Sequence, residues 1–278
     1  GGARAARGGG PLKLVHLADL HFGAADPNVM AAAARQIQVF APDAVVVSGD
    51  LTQNGRRREF DAAREWLLGL GTRVACTPGN HDTPMFQLHH RVMRPFSRYR
   101  DHVAEFSFPL DLGKVRVDGL NTARGWQVRR NWAEGSVDLD DLDQILSAES
   151  KAETRILACH HPFVSPAGAP LQTATRRGRR ASARLGASDV NVLLNGHVHA
   201  PQVEIIPGPF GAYVSVTAGT LSLRLRQVPP SFNTLEFDDA LMTVTAYSHD
   251  GYDFTRKIRS VWNTVRMEQL RPPRVVSA

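Results

Sequence analysis

Apolar and polar positions along this chain sort into two kinds of segment that take turns. Short, nearly continuous apolar runs at 12–18, 44–48 and 73–77 are rich in valine and leucine, and each stops at a polar cluster. Between them lie longer stretches, near 28–40 and 57–70, whose apolar residues recur at the spacing of one helix face. An apolar run without polar alternation suits a strand buried on both faces, so the alternation of the two kinds predicts an α/β fold. Further on, residues 84–93 have a helical period, and 105–122 alternates around Leu112-Gly113-Lys114 as a hairpin does. A helix is predicted near 139–150, with strands at 155–158, 190–194, 203–206, 213–218, 233–237 and 241–247. Parallel pairing thus gives way to antiparallel. The predicted architecture is a four-layer α-β-β-α sandwich, two mixed β-sheets packed face to face with helices outside, and no repeat of fixed period occurs.

The polar clusters that end the runs carry the chemistry. Open α/β sheets bind ligands beyond the carboxyl ends of their strands, so these clusters should meet. Asp19 and His21 follow the first run, and their alternate spacing in an extended segment aims both side chains the same way. Gly49-Asp50 ends the second run and Gly79-Asn80-His81-Asp82 the third; His160-His161-Pro162 and Gly196-His197-Val198-His199 end the runs at 155 and 190. One such histidine or aspartate alone is most often a satisfied structural residue. Ligand types at all five ends in succession point to a metal centre. The donors are carboxylate, amide oxygen and imidazole nitrogen with no thiolate, a set that suits Mn, Fe, Zn, Co or Mg and leaves the metal open.

These five blocks, in this order and spacing over 12–247, resemble the signature of the calcineurin-like metallophosphoesterase superfamily. Val47-Ser48-Gly49-Asp50-Leu51-Thr52, Arg58-Glu59-Phe60 and Thr77-Pro78-Gly79-Asn80-His81-Asp82 are similar to its bacterial class III cyclic-nucleotide phosphodiesterase branch. The resemblance implies two divalent metal ions. Asp19, His21 and His199 would hold the first, Asn80, His160 and His197 the second, and Asp50 would bridge them. His160 is preferred to His161 because the family places its ligand two residues before the proline, which leaves His161 as a neighbour. Two cations about 3.5 to 4 Å apart can share a hydroxide that attacks phosphorus in line with the leaving oxygen. His81, next to a ligand, would stabilise developing charge or protonate the leaving oxygen, with Asp82 as its orienting partner. The expected enzyme is a phosphodiesterase acting on a small phosphate ester, with a cyclic nucleotide as leading substrate. Its rivals are a pyrophosphatase acting on a nucleotide-linked lipid, a nuclease, and a catalytically silent metal-binding scaffold. A nuclease should show a basic track reaching well beyond the metals, and only local clusters are present, so nucleic acid is not an expected partner.

Composition changes this picture little. The 278 residues are 42% hydrophobic, enough for one substantial core, and the net charge of +6 suits an anionic substrate without proving one. Cys76 and Cys159 sit in apolar runs and read as buried thiols in a reducing compartment. No apolar run of about 18 residues is present, so a cytoplasmic protein is expected. Residues 1–10, mostly glycine, alanine and arginine, are expected to be disordered, with the catalytic domain at 11–250. His16, inside the first run, reads as structural. Arg176, Arg177, Arg179, Arg180 and Arg184 read as a solvated helix face before a phosphate grip, and 87–102 as either a cap over the site or plain surface. At 251–278, Ile258, Val261, Trp262, Val265 and Leu270 among basic residues predict an amphipathic helix and tail. It is expected to dock on the domain or on a second subunit, which admits a homodimer; peripheral membrane contact is the less favoured reading.

Overall fold

The computed structural model describes residues 10–128 and 131–275. The disorder expected at residues 1–10 therefore lies, Gly10 apart, outside the described residues. Strand β1 (Leu12–Leu17) leads to helix α1 (Pro27–Phe40), β2 (Ala44–Ser48), α2 (Arg57–Gly69) and β3 (Arg73–Thr77). A 3-10 turn at Asn80–Asp82 precedes two short helices, α3 (Leu88–Met93) and α4 (Ser97–Val103). The expected hairpin is β4 (Leu110–Asp111) and β5 (Val115–Gly119), followed by α5 (Leu139–Leu146), β6 (Thr154–Ala158), α6 (Gly178–Gly186) and β7 (Val190–Asn195). The chain ends in strands: β8 (Gln202–Pro207), β9 (Ala212–Thr217), β10 (Ser231–Asp238), β11 (Leu241–His249), β12 (Phe254–Asn263) and β13 (Glu268–Val275).

Two mixed sheets result, in the orders β13-β12-β11-β10-β1-β2-β3 and β4-β5-β6-β7-β9-β8. Within the first, β1, β2 and β3 run parallel, with Leu14 opposite Ala44 and Ala44 opposite Arg73. Within the second, β5, β6, β7 and β9 run parallel. Seven parallel strands therefore point their carboxyl ends toward one rim. Alternate residues explain the layers. Val45 and Val47 pack with Ile37, Phe60 and Leu67 under α1 and α2, whereas Val46 faces Ile156, Val192 and Val214 between the sheets. Leu157 and Leu193 turn outward to Leu142, Ala181 and Leu185 of α5 and α6. A strand covered on both faces has no place for polar alternation, which is why these runs are continuous.

Helix ends set the loops that reach the rim. Asp26 caps α1 by accepting from Asn28 N at 2.8 Å, with Pro27 at the first helical position. Buried Glu59 accepts from Asn54 N at 2.8 Å and Arg56 N at 3.3 Å, pinning the loop that follows Asp50.

The expected C-terminal helix is instead the hairpin of β12 and β13. Trp262 lies opposite Met242 and enters the core between the sheets, while Ile258, Val265 and Leu270 are exposed, so no shared apolar stripe exists. Open backbone on β11 offered a partner, β-branched residues fitted a strand, and Pro272-Pro273 could not sit inside a helix. The helix expected over 84–93 is shortened to α3, and a second, α4, lies beyond it. Among the described residues no helix is long and apolar enough to cross a membrane.

Candidate metal centre

Five of the ten non-glycine residues with positive φ among the described residues stand at this rim: Asp19, His21, Asp50, His197 and His199, at 45° to 69°. This left-handed backbone is disfavoured for residues with a side chain, so the strand ends turn sharply where they carry their ligand types. The turns are locked by backbone bonds from Asp19 N to Gly49 O and from His21 N to Asp50 O, both 3.0 Å. Glycine is required beside them: a Cβ on Gly79 would stand 2.1 Å from Asp50 Oδ1, and one on Gly49 2.7 Å from the His160 ring.

The seven predicted ligands meet. His199 Nε2 is 3.0 Å and His21 Nε2 3.7 Å from Asp19 Oδ1, and the two Nε2 atoms are 3.4 Å apart. His160 Nε2 lies 3.2 Å from Asn80 Oδ1, and its ring stands 5.2 Å from that of His197. Asp50 sits between the two groups, its Oδ2 3.8 Å from His21 Nε2 and 3.3 Å from His160 Nε2. All seven are buried. Nδ1 of His160 donates to Ser48 O at 2.8 Å and Nδ1 of His199 to Arg224 O at 2.7 Å, which fixes the tautomers and turns both Nε2 lone pairs inward. His161 uses both ring nitrogens elsewhere, on Thr122 Oγ1 at 3.0 Å and Ala133 O at 2.9 Å.

Carboxylates and imidazoles shift one another strongly in this pocket. Burial alone would raise the Asp19 carboxyl, yet the imidazoles around it, His199 foremost, hold it well below the usual carboxylate range. Asp50 is lowered against burial by His160, His81 and His21. Burial works against a charged His160, but the Asp50 carboxylate carries it up to about 9; burial and His160 push His197 down to about 3. Asp19 Oδ1 and His21 Nδ1 are buried without a hydrogen-bond partner. An orphaned carboxylate oxygen facing crowded imidazole lone pairs is a donor set that fits divalent cations, which would displace the proton on His160.

Around the ligands the structure adds and corrects. His81 N donates to Asp50 Oδ1 at 2.8 Å, and its ring stands 4.9 Å from that of His21. Its Nδ1 meets Gln53 O at 2.7 Å and its Nε2 meets Arg224 Nη1 at 2.6 Å. Burial lowers the His81 pKa, opposed by Asp50 and assisted by His21 and Arg224. Asp82 is therefore not its orienting partner. Its buried carboxylate accepts from Gly79 N, Leu51 N, Thr52 N and Thr52 Oγ1, clasping the loop of Asp50 to the loop of Asn80. Burial and the Asp50 charge push the Asp82 acid up to about 7, against the donors that favour its anion.

Arg224 and Gln53 escaped the sequence reading, although a signal was present. Arg224 follows β9, whose carboxyl end obeys the same rule as the others and brings Thr220 Oγ1 to Asp19 O at 2.7 Å. His16 is structural as expected: buried, bonded to Ser48 Oγ at 2.9 Å and pushed by burial down to about 3. Cys76 and Cys159 are buried and free. Of the arginine cluster, Arg184 binds Leu139 O and Asp143 on the outer layer, and Arg179 and Arg180 are exposed on α6. Arg176 lines a cavity of about 630 Å³ with Arg124, Trp126, Gln127 and Ser136. Segment 87–102 divides: α4 docks on α2, through Phe60 against Tyr99 and His102 on Asp61, whereas α3 stands beside the loop that carries Gly125.

The sequence profile of the calcineurin-like phosphoesterase family matches residues 12–201. Glycerophosphodiester phosphodiesterase GpdQ of Enterobacter lignolyticus strain SCF1 is 51% identical over 41 residues, a stretch that covers 15% of this chain and 15% of that enzyme. Among solved structures, PhoD superposes with a TM-score of 0.66 at 10% identity, over 97% of this chain and 72% of its own. A purple acid phosphatase, PPD1 from yellow lupin (Lupinus luteus) seeds, gives 0.61 at 14% identity, over 88% and 53%. At such identities these likenesses concern the fold. With the profile spanning every strand end that supplies a ligand type, the chain belongs to the calcineurin-like phosphoesterase family.

Proposed function

We propose that this chain is a dinuclear-metal-dependent phosphodiesterase. The observation that carries the reading is the position of Asp50, whose one carboxylate faces both donor groups, His21 on one side and His160 on the other. Asp19, His21 and His199 would hold one ion, Asn80, His160 and His197 the other, and Asp50 would belong to both. Bound there, two divalent cations supply Lewis acidity that polarises phosphoryl oxygens and makes water acidic enough to attack near neutral pH.

The chain's own groups do the rest. Ser48 O and Arg224 O hold the imidazoles in one tautomer, so no reorganisation is needed when charge develops. With Nδ1–H donating to Gln53 O, the Nε2 of His81 accepts from Arg224, and the positive charge facing substrate is the guanidinium. A phosphoryl oxygen that draws Arg224 away would free that nitrogen to take the proton released by the attacking water and pass it to the leaving oxygen.

A cyclic nucleotide is the leading substrate, on the likeness of the Asp50 and Asn80 blocks to class III phosphodiesterases. The short, strong match to a glycerophosphodiester phosphodiesterase favours glycerophosphodiesters as a second reading. Metal analysis joined to a panel of cyclic nucleotides, glycerophosphodiesters, nucleotide-linked lipids and single-stranded nucleic acid, each with Mn, Fe, Zn, Co or Mg, tests both. About two ions per chain with turnover of a diester is expected. Metal bound without turnover of any ester would make the chain a scaffold.

A further inference from the structure

Two segments beside the metal centre share an unusual composition. From Thr83 to Arg100 the chain has no Asp or Glu but holds Arg91, Arg94, Arg98 and Arg100, and from Asn121 to Ala133 it again has no acidic residue. The segments pack together: Arg91 Nε donates to Gly125 O at 2.8 Å, and its guanidinium lies 5.6 Å from the Trp132 ring centre. Both adjoin the site, since Met85 N bonds Asn54 O, one residue from the carbonyl that holds His81, and Ala133 O meets His161.

The burial of α3 is inverted. Arg91 is 5% exposed, whereas Leu88, one turn from Val92, is 60% exposed and Met93 66%. Phe86, just before the helix, is 70% exposed, and within the second segment Trp126 is half-exposed and Val128 86% exposed. Arg91 fixes the inversion by satisfying its guanidinium inward, so the apolar side chains cannot turn under the helix. A short helix ordinarily hides such residues; here Phe86, Leu88, Val92 and Met93 give α3 and the turn before it an exposed apolar ridge near the rim. Cations border it: Arg56 lies over the Phe86 ring at 5.1 Å, and Arg94 is exposed beside Met93.

We propose that this ridge seats on an anionic lipid bilayer. Large apolar side chains with an arginine border and no carboxylate within either segment suit the interface between acyl chains and acidic headgroups. The basic β12–β13 hairpin is a separate feature and takes no part.

Flotation of the full chain with phosphatidylcholine vesicles, with and without phosphatidylglycerol, tests the proposal without reference to hydrolysis. Binding to the anionic vesicles alone, weakening as salt rises, is expected. Changing Phe86→Ser, Leu88→Ser and Met93→Ser together should weaken it at least about tenfold, since these side chains would otherwise leave water. Melting temperature and turnover of a soluble chromogenic diester should stay as they were. Arg94→Gln should weaken binding about fivefold, and Lys257→Glu with Arg259→Glu in the hairpin should leave it unchanged. No flotation, equal binding to neutral vesicles, or loss in the hairpin variant but not in the ridge variant would each overturn the proposal.

Discussion

Asp82→Asn exchanges one carboxylate oxygen for an NH2 group where four donors converge. Oδ1 accepts from Thr52 N and Thr52 Oγ1, both at 2.9 Å, and Oδ2 from Gly79 N at 2.9 Å and Leu51 N at 3.2 Å. With the amide nitrogen in place of Oδ2, two backbone N–H groups lose their acceptor. Placed at Oδ1 it is better tolerated, because Thr52 Oγ1 can rotate to accept and a single N–H is orphaned. One buried orphan costs about 1–3 kcal/mol; the bonds that remain lose their charge assistance, but the neutral amide also escapes the burial penalty and the Asp50 repulsion that raise the Asp82 acid, so the total stays at about 1–3 kcal/mol. At about 2–4 °C per kcal/mol for a domain of this size, the melting temperature should fall by roughly 2–12 °C. Calorimetry reads that directly. Leu51 and Thr52 follow Asp50 and Gly79 precedes Asn80, so metal content should fall with stability, while turnover per bound metal pair holds. A variant that melts like the parent and keeps its metals yet loses turnover would refute the clasp and return Asp82 to the mechanism.

Two further predictions separate the groups around the metals. Stripped by a chelator, the chain should lose stability from about pH 6.5 to 9, because His160 has a folded pKa above its unfolded one: its contribution is complete below 6.5 and gone once pH passes about 9. The depressed His197 acts only below about 6.5, and the raised Asp82 adds a loss of the same sign ending near 7, so a flat series of melts above pH 7 would remove the His160–Asp50 pair from the account. At the rim, His81→Ala should keep both metals and lose about 10²- to 10⁴-fold in turnover on esters with poor leaving groups. Arg224→Met should also keep them, since it is the backbone carbonyl that holds His199, while KM rises about 10- to 100-fold; metal loss in either variant would make the residue structural.

The candidate ligand set was legible because the chemistry and the topology leave the same mark. A parallel strand buried on both faces is a continuous apolar run, so the polar residues within a few positions of its end stand at the binding rim, and Asp19, Asp50, Asn80, His160 and His197 each occupy such a place. Where one pattern admits two structures, the sequence is silent. Ile258, Val261 and Trp262 admit a helical period and a strand alike, and the choice was made by pairing along β11 and by burial of Trp262 in the core between the sheets. Asp82 looked like a partner of His81 because they are neighbours in sequence, but the 3-10 turn that aims His81 at Asp50 turns Asp82 the other way, into the backbone of Leu51 and Thr52. Arg224 lay within reach of the rule that found the rest. Strand β9 is parallel to β7, so its end, carrying Thr220, Ser222 and Arg224, reaches the same rim. Its polar residues are not metal-ligand types, so the rule that singles out Asp, Asn and His at strand ends passes over Arg224.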